Sequence, residues 1–456
     1  MDLHLDLAGG AGRSLRARLE HALREAVRSG RLAPDTRLPS TRELCTQLGV
    51  SRGVVVDAYA QLAAEGYLRT RRGGGTTVAP AVGAEHRAAP APARPPVLRY
   101  DMSPYRPALA ELPRQELARS VARVLREAPD QRFDLPDPAG VIELRSALAA
   151  YLGRVRGVRA SAEQIVITTG TRHGTGLAWR ALAARGARRV GVEEPGWQGI
   201  PETAAAAGLT PVPVRVDGEG LVVDGLEAER LDAVAVAPAH QYPTGGVLSA
   251  ERRRALLGWA RDNDAVLIED DFDAEYRYDH QPIGSLQGLA PEHVIYTGST
   301  SKTVAPSLRL GWLAVPMVLV EPVLGLQQVA GTIPSPIFQL AFADMIERGE
   351  LDRHLRRQRR RYQRRRDALL ATLAGVLPSL AVTGAAAGLY VVLELPEHLD
   401  ESAVLAAARA RGIALEGRGG GAPALVIGYA GLDAAATRPA VAALAAAIED
   451  ATNAGG

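Results

Sequence analysis

The sequence predicts a two-part α/β chain: an N-terminal winged helix-turn-helix, then a larger domain whose mostly parallel sheet carries helices on both faces. Three observations carry this. Residues 10–80 hold three capped helical patterns followed by a glycine-centred hairpin. Residues 81–99 are rich in Ala and Pro (APAPARPPV), which neither sustains a helix nor packs a core and so reads as a semi-rigid linker. Residues 100–456 alternate apolar β-runs with helical segments, and about 335–456 separate off as a smaller α+β subdomain. A chain of 456 residues is in any case too long for one ordinary core.

In the first part, Leu15, Leu19, Leu23 and Val27 recur at helical spacing and stop near Gly30. Ser40-Thr41-Arg42-Glu43 is a capping box opening a second helix, which Gly49 ends. Ser51 caps a third helix running to Glu65, with Gly66 as its stop. Tyr67–Arg71 and Thr76–Ala79 flank Gly73-Gly74-Gly75 as a two-stranded wing. In the second part, β-runs are expected at Ile165–Thr168, Val190–Val192, Ala233–Ala237, Val266–Ile268, Val294–Tyr296 and Leu310–Val315, and again near Leu389–Glu394 and Leu425–Tyr429.

Composition sets bounds. With 47% hydrophobic and 23% charged residues the chain is globular, and a net charge of +2 announces no polyanion partner. Residues 1–80 differ: 12 Arg against 8 Asp plus Glu leaves +4. A single cysteine, Cys45, excludes an intramolecular disulfide and fits a reducing cytoplasm. No secretory pattern opens the chain and no run of 18 apolar residues occurs, so no membrane association is expected. No metal site is expected. Of 53 basic residues one alone is lysine, Lys302. A bias toward arginine accounts for the scarcity, but not for the survivor's place in a motif.

A helix that reads DNA needs polar and basic residues at its N-terminal end, where base edges and phosphates are met. Ser40, Arg42, Ser51 and Arg52 stand at two helix starts, and Arg71, Arg72, Gly74 and Thr76 lie on the wing. The stretch from Arg37 to Ala79 resembles the winged helix of the GntR family at Arg37-Leu38-Pro39-Ser40, Arg42, Leu48-Gly49-Val50-Ser51-Arg52 and Ala64-Glu65-Gly66-Tyr67-Leu68. The resemblance implies a double-stranded DNA operator as partner. Gly53-Val54 departs from it, standing where relatives often have a polar residue and Thr.

The second part carries five motifs in order. Thr169-Gly170-Thr171-Arg172 follows a strand and opens a helix, a phosphate cradle. Glu193-Glu194-Pro195-Gly196-Trp197 places an aromatic plate. His240-Gln241-Tyr242-Pro243-Thr244-Gly245 follows the next strand. Val266–Phe272 is a buried strand ending in acids, where α/β sheets bind ligands. Ser299-Thr300-Ser301-Lys302, with Arg309 and Gly311, joins an amine to hydroxyl and guanidinium donors. Pyridoxal 5′-phosphate (PLP) needs this kit: Lys302 for the aldimine, Asp270 for the pyridine nitrogen (Asp271 being the rival), Trp197 and Tyr242 around the ring, and Gly170, Thr171, Arg172, Ser299, Ser301 and Arg309 at the phosphate.

Together these motifs resemble the fold type I aminotransferases. The specific versions (DPAG, EEPGW, HQYPTG, EDDF, STSK and LRLGW) resemble the MocR/GabR subfamily of GntR regulators, from about residue 14 to 430. The resemblance implies bound PLP and a homodimer, with the helix-turn-helix of one subunit over the partner's large domain. Three positions depart from the subfamily's amino-acid-handling members. Phe272 replaces a Tyr that donates to the PLP 3′-oxygen, Gly199 replaces the Arg of the GABA-responsive member, and Val426 replaces the Arg that grips a carboxylate. The expectation is therefore a sensor of an amine, an amino acid or PLP itself through Lys302. The alternatives are a working aminotransferase with a DNA tether, and a DNA-binding protein whose aminotransferase-like part serves only dimerisation. The run Arg353–Arg366 reads as a solvated helix face or as a second DNA contact.

Overall fold

The computed structural model describes residues 3, 5, 7, 14–71, 75–80, 98–278, 283–384 and 386–454. Linker residues 81–97, and the wing residues Arg72 and Gly74, lie outside the described residues. The chain divides into two compact units, Met1–Pro95 and Pro96–Gly456.

The first unit is three helices and a hairpin: α1 (Leu15–Arg28), α2 (Thr41–Leu48), α3 (Arg52–Ala64), β1 (Leu68–Arg71) and β2 (Gly75–Val78). Local chemistry sets each start. Ser14 Oγ accepts the Ala17 N–H, and Ser51 Oγ that of Val54. At α2 the capping box is reciprocal: Glu43 N–H donates to Ser40 Oγ (3.2 Å), and Ser40 N–H to Glu43 Oε2 (2.8 Å). Gly49 then turns left-handed at φ +63° and ends the helix. Leu19, Leu23, Leu44, Val55 and Leu62 close one core with Leu68 and Val78, which face each other across the hairpin.

The second unit is built on strands β3 (Tyr100–Asp101), β4 (Ile165–Thr168), β5 (Arg189–Glu194), β6 (Thr210–Asp217), β7 (Gly220–Leu221), β8 (Ala233–Val236), β9 (Val266–Asp270), β10 (Val294–Ser299), β11 (Gly311–Ala314), β12 (Val382–Thr383), β13 (Tyr390–Glu394), β14 (Ile413–Ala414), β15 (Glu416–Gly417) and β16 (Ala424–Gly428). Its main sheet runs β4-β11-β10-β9-β8-β5-β6-β7. All of these strands share one direction except β11 and β7, which run antiparallel to their neighbours. Strands β4, β8 and β10 are buried along their whole length, as sheet strands covered on both faces are. Alternate residues feed opposite cores: Ile165 and Ile167 join one cluster while Val166 joins another, and Leu313 points away from Trp312 and Ala314.

A second sheet, β12-β13-β16-β15, lies in the C-terminal part, and the short β3 pairs with β14, so the start of this unit is stitched to its end. The helix Pro336–Glu347 packs on the helices Arg114–Glu127 and Ile142–Arg156. The 27-residue helix Glu350–Val376 turns Leu351, Leu355, Tyr362 and Leu369 inward. Many of its arginines are tied within the unit: Arg357 to Glu116, Arg361 and Arg365 to Glu111, and Arg359 to the Glu275 carbonyl. Arg356, Arg360 and Arg364 are exposed at four-residue spacing with no ion-pair partner among the described residues. No helix among the described residues is long and apolar enough to cross a membrane.

Candidate cofactor site and DNA-facing surface

The parallel strands end at one edge of the main sheet, and the turns that follow them converge there. They enclose a cavity of about 370 Å³, a size suited to a small cofactor. Its lining includes every residue the sequence assigns to the cofactor: Gly170, Thr171, Arg172, Trp197, Tyr242, Asp270, Ser299, Ser301, Lys302 and Arg309. Tyr105 and Phe272 complete it.

One end is cationic and rich in N–H groups. Gly170 sits at φ +126°, a conformation reserved for glycine, and opens the helix Thr171–Ala184, whose first N–H groups have no helical acceptors. A Cβ at Gly170 would stand 3.6 Å from the Arg309 guanidinium, so that cation borders the helix N-terminus. Arg309 itself is held at φ +50°, rare for a side-chain-bearing residue. A dianion such as a phosphate suits this end. The Arg172 side chain points elsewhere, pairing with Glu202 and lying 5.4 Å over the Trp197 ring. A Cβ at Gly199 would fall 2.4 Å from Trp197 Cζ2, so the glycine makes room for that ring as placed.

At the base the two rival acids part, because successive residues leave a strand on opposite sides. Asp270 lines the cavity, and its Oδ1 is buried without a hydrogen-bond partner. Burial, then the charges of Asp271 and Asp273, push its carboxyl up to about 7, against the pull of Lys302. Asp271 is engaged elsewhere: its Oδ2 accepts from Arg156 Nε at 2.7 Å and from the Tyr296 hydroxyl at 2.6 Å, and although its Oδ1 is also buried without a partner, it does not line the cavity. An orphaned buried carboxylate oxygen calls for a donor, and a protonated ring nitrogen supplies one. The residues present fit PLP.

Lys302 Nζ donates to the Tyr105 carbonyl (2.7 Å) and lies 5.2 Å over that ring. Burial lowers its pKa, opposed by Asp273, Asp270 and Glu416, so a neutral, nucleophilic amine is more accessible than on the surface. Sequence reasoning missed Tyr105, Asp273 and Glu416. Asp273 holds buried His240, both of its oxygens being 3.0 Å from Nδ1, and His240 stacks on Tyr390. Phe272 and Trp197 pack against an apolar cluster of Tyr242, Tyr390, Val392, Ala424 and Val426, which places the departures at Gly199, Phe272 and Val426 around one site. No cluster able to hold a metal ion occurs among the described residues.

On the first unit, Ser40, Arg42, Ser51, Arg52 and Arg71 are exposed and Thr76 half-buried. Arg42, Arg52 and Arg71 have no ion-pair partner among the described residues, whereas Arg16 and Arg24 are bound to Glu20 and Glu65. The cations at the α2 and α3 starts are thus unspent.

Comparison with known proteins places both units. Residues 15–78 match the family "Bacterial regulatory proteins, gntR family", and residues 109–444 match "Aminotransferase class I and II". The chain is 38% identical over 402 residues to the HTH-type pyridoxine biosynthesis transcriptional regulator PdxR of Corynebacterium glutamicum, covering 86% of each chain. It is 33% identical to the probable rhizopine catabolism regulatory protein MocR of Rhizobium meliloti, covering 87% of this chain and 84% of that one. Among solved structures it is similar to LysN, the α-aminoadipate aminotransferase of Thermus thermophilus (TM-score 0.69, 26% identity, 78% of this chain and 93% of that one). The kynurenine aminotransferase of Pyrococcus horikoshii shares the fold at TM-score 0.70 and 22% identity, over 78% and 91% of the two chains.

Proposed function

The chain belongs to the MocR/GabR group of GntR-family transcription regulators, which join a helix-turn-helix to an aminotransferase-like domain, and we propose that it controls DNA binding through PLP held at Lys302. The observation that carries this is the placement of the chain's one lysine in a cavity with an unpartnered buried acid, Asp270. When bound, the cofactor supplies an aldehyde for a primary amine and a ring that withdraws electrons. The protein's residues divide the binding. Lys302 would bond the aldehyde carbon and Asp270 would accept from the ring nitrogen. Trp197, backed by Arg172, and Tyr242 would flank the ring. Gly170, the N–H groups of Thr171 and Arg172, and Ser299, Ser301 and Arg309 would hold the phosphate. Ser40, Arg42, Ser51, Arg52, Arg71, Arg72, Gly74 and Thr76 meet the operator. The working unit is a homodimer with exchanged helix-turn-helix domains.

The effector is an amine, an amino acid or PLP itself. The name of the C. glutamicum relative, a pyridoxine biosynthesis regulator, favours cofactor loading as one signal. Sensing rather than turnover is the reading the site supports: no arginine projects from β16 to grip a substrate carboxylate, since Val426 is buried there in an apolar cluster. The test is to load full-length protein with PLP, reduce with borohydride and map the pyridoxyl group by mass. The affinity for an operator selected from random duplexes is then measured with and without PLP. A label on Lys302, and an affinity that changes with PLP in the native protein but not in Lys302→Ala, are expected. A label elsewhere, an unaltered PLP response in Lys302→Ala, or rapid release of keto acid from amino acids would overturn the reading.

A further inference from the structure

Behind the tyrosines that wall the cavity opposite the phosphate end, the charge is reversed. Where a carboxylate-gripping arginine would stand, Val426 is paired in direct register with Glu416 of β15. Residues directly opposite in an antiparallel pair share a face of the sheet, so the acid stands beside the position where the cation would be. Contacts agree with the register. The Tyr242 hydroxyl donates to Glu416 Oε2 at 2.9 Å. Tyr242 lines the cavity with Tyr105, their ring centroids 4.8 Å apart. Glu416 also acts electrostatically on Lys302, on the same side of the balance as Asp270 and Asp273.

The arginines nearest in sequence and cavity do not offset this charge. Arg418, two residues on, forks onto Glu394 (2.6 Å to Oε2) and the Ala422 carbonyl. Arg172 is with Glu202 and Trp197, and Arg309 borders Gly170 at the opposite end. A ligand carboxylate at the far end would meet two phenols backed by an acid; a cation there would meet a counter-charge.

We propose that the ligand this cavity admits beside the cofactor is an aliphatic diamine, one nitrogen at Lys302 and the other held as an ammonium by Glu416 through the Tyr105–Tyr242 wall. This rests on the reading that PLP is bound at Lys302. The first nitrogen displaces Lys302 Nζ from the cofactor's aldehyde carbon: one carbon–nitrogen double bond forms as the other breaks. The released Nζ takes the proton the ligand nitrogen loses, and nothing is oxidised or reduced.

The experiment titrates PLP-loaded, full-length protein with 1,4-diaminobutane, butylamine and 4-aminobutanoate, following cofactor absorbance per bound cofactor and, in parallel, DNA affinity. The diamine should half-saturate at a concentration at least tenfold below butylamine, with 4-aminobutanoate weaker still. Glu416→Gln should erase the tenfold preference, and Glu416→Arg should turn it toward 4-aminobutanoate. A carboxylate ligand that equals or beats the diamine, or a preference that survives Glu416→Gln, overturns the proposal. If borohydride labels Lys302 yet no amine moves the spectrum, the diamine proposal alone fails. If Lys302 takes no label, the PLP reading fails before it.

Discussion

Asp270 and Asp271 are adjacent carboxylates at one strand end, and neutralising each should have opposite consequences. Asp271 and Arg156 form an ion pair with both side chains 3% exposed, and Asp271 accepts the Tyr296 hydroxyl on the same oxygen. Asp271→Asn leaves the Arg156 guanidinium buried with its counter-charge removed, a change that costs about 3–5 kcal/mol. With a urea slope of about 3 kcal/mol/M, that lowers the unfolding midpoint by more than about 1 M. Asp270 has no such partner: its Oδ1 is buried and unsatisfied, and burial is what raises its pKa. Asp270→Asn removes a buried charge from the cofactor-free protein, so its midpoint should stay level or rise. Its loss appears on loading. A hydrogen bond to a charged group is worth about 1.5–3 kcal/mol, so PLP affinity should weaken about 10- to 150-fold. Urea unfolding of cofactor-free protein and PLP titration by absorbance read the two effects separately. If Asp270→Asn destabilised the cofactor-free protein as much as Asp271→Asn, or if Asp271→Asn cost under about 1 kcal/mol, the division of labour between the acids would be wrong.

Three further outcomes are expected. The folded Asp270 carboxyl sits near 7 against an ordinary value of 3.8, so the folded state keeps a proton that the unfolded state releases between them. Native stability therefore falls, relative to Asp270→Asn, as pH rises from about 4, and the gap levels off above about 7. Urea midpoints of the two proteins at pH 5 and pH 8 check this, and a gap independent of pH would refute it. On duplex DNA, Arg42→Ala and Arg52→Ala should each flatten the plot of log affinity against log salt by about 1, while Arg24→Ala, already paired with Glu65, leaves it alone. Replacing Arg356, Arg360 and Arg364 together by Gln should leave that slope unchanged, since the helix faces solvent there; a decrease of about 2–3 would make it a second DNA contact.

The parts of the site that could be read in advance share one property. Gly170, Asp270, Ser299 and Lys302 lie at or just after the C-terminal ends of strands, and a parallel sheet gathers such ends whatever lies between them. The winged unit was legible for a different reason: serine caps and stop glycines act over three or four residues, so pattern and structure meet at the same positions. Tyr105 and Glu416 had neither signal. Tyr105 follows β3, a two-residue strand held by the equally short β14, and two residues carry no period. Glu416 matters only through its register, in which a slip of one position would turn its side chain to the other face. The register is pinned by backbone contacts that leave no compositional trace. The Glu401 carboxylate accepts the N–H groups of Arg418, Gly419 and Ala424, and it sits where a Cβ on Gly417 would be, 2.0 Å from that position. With Gly417 forced to be small, Glu416 is the residue of β15 that can present a side chain beside Val426. The charge behind the Tyr105–Tyr242 wall is thus decided by a register that Gly417 and Glu401 fix without lining the cavity, which is why substituting Val426 alone by Arg should pair it with Glu416 rather than create a free carboxylate clamp.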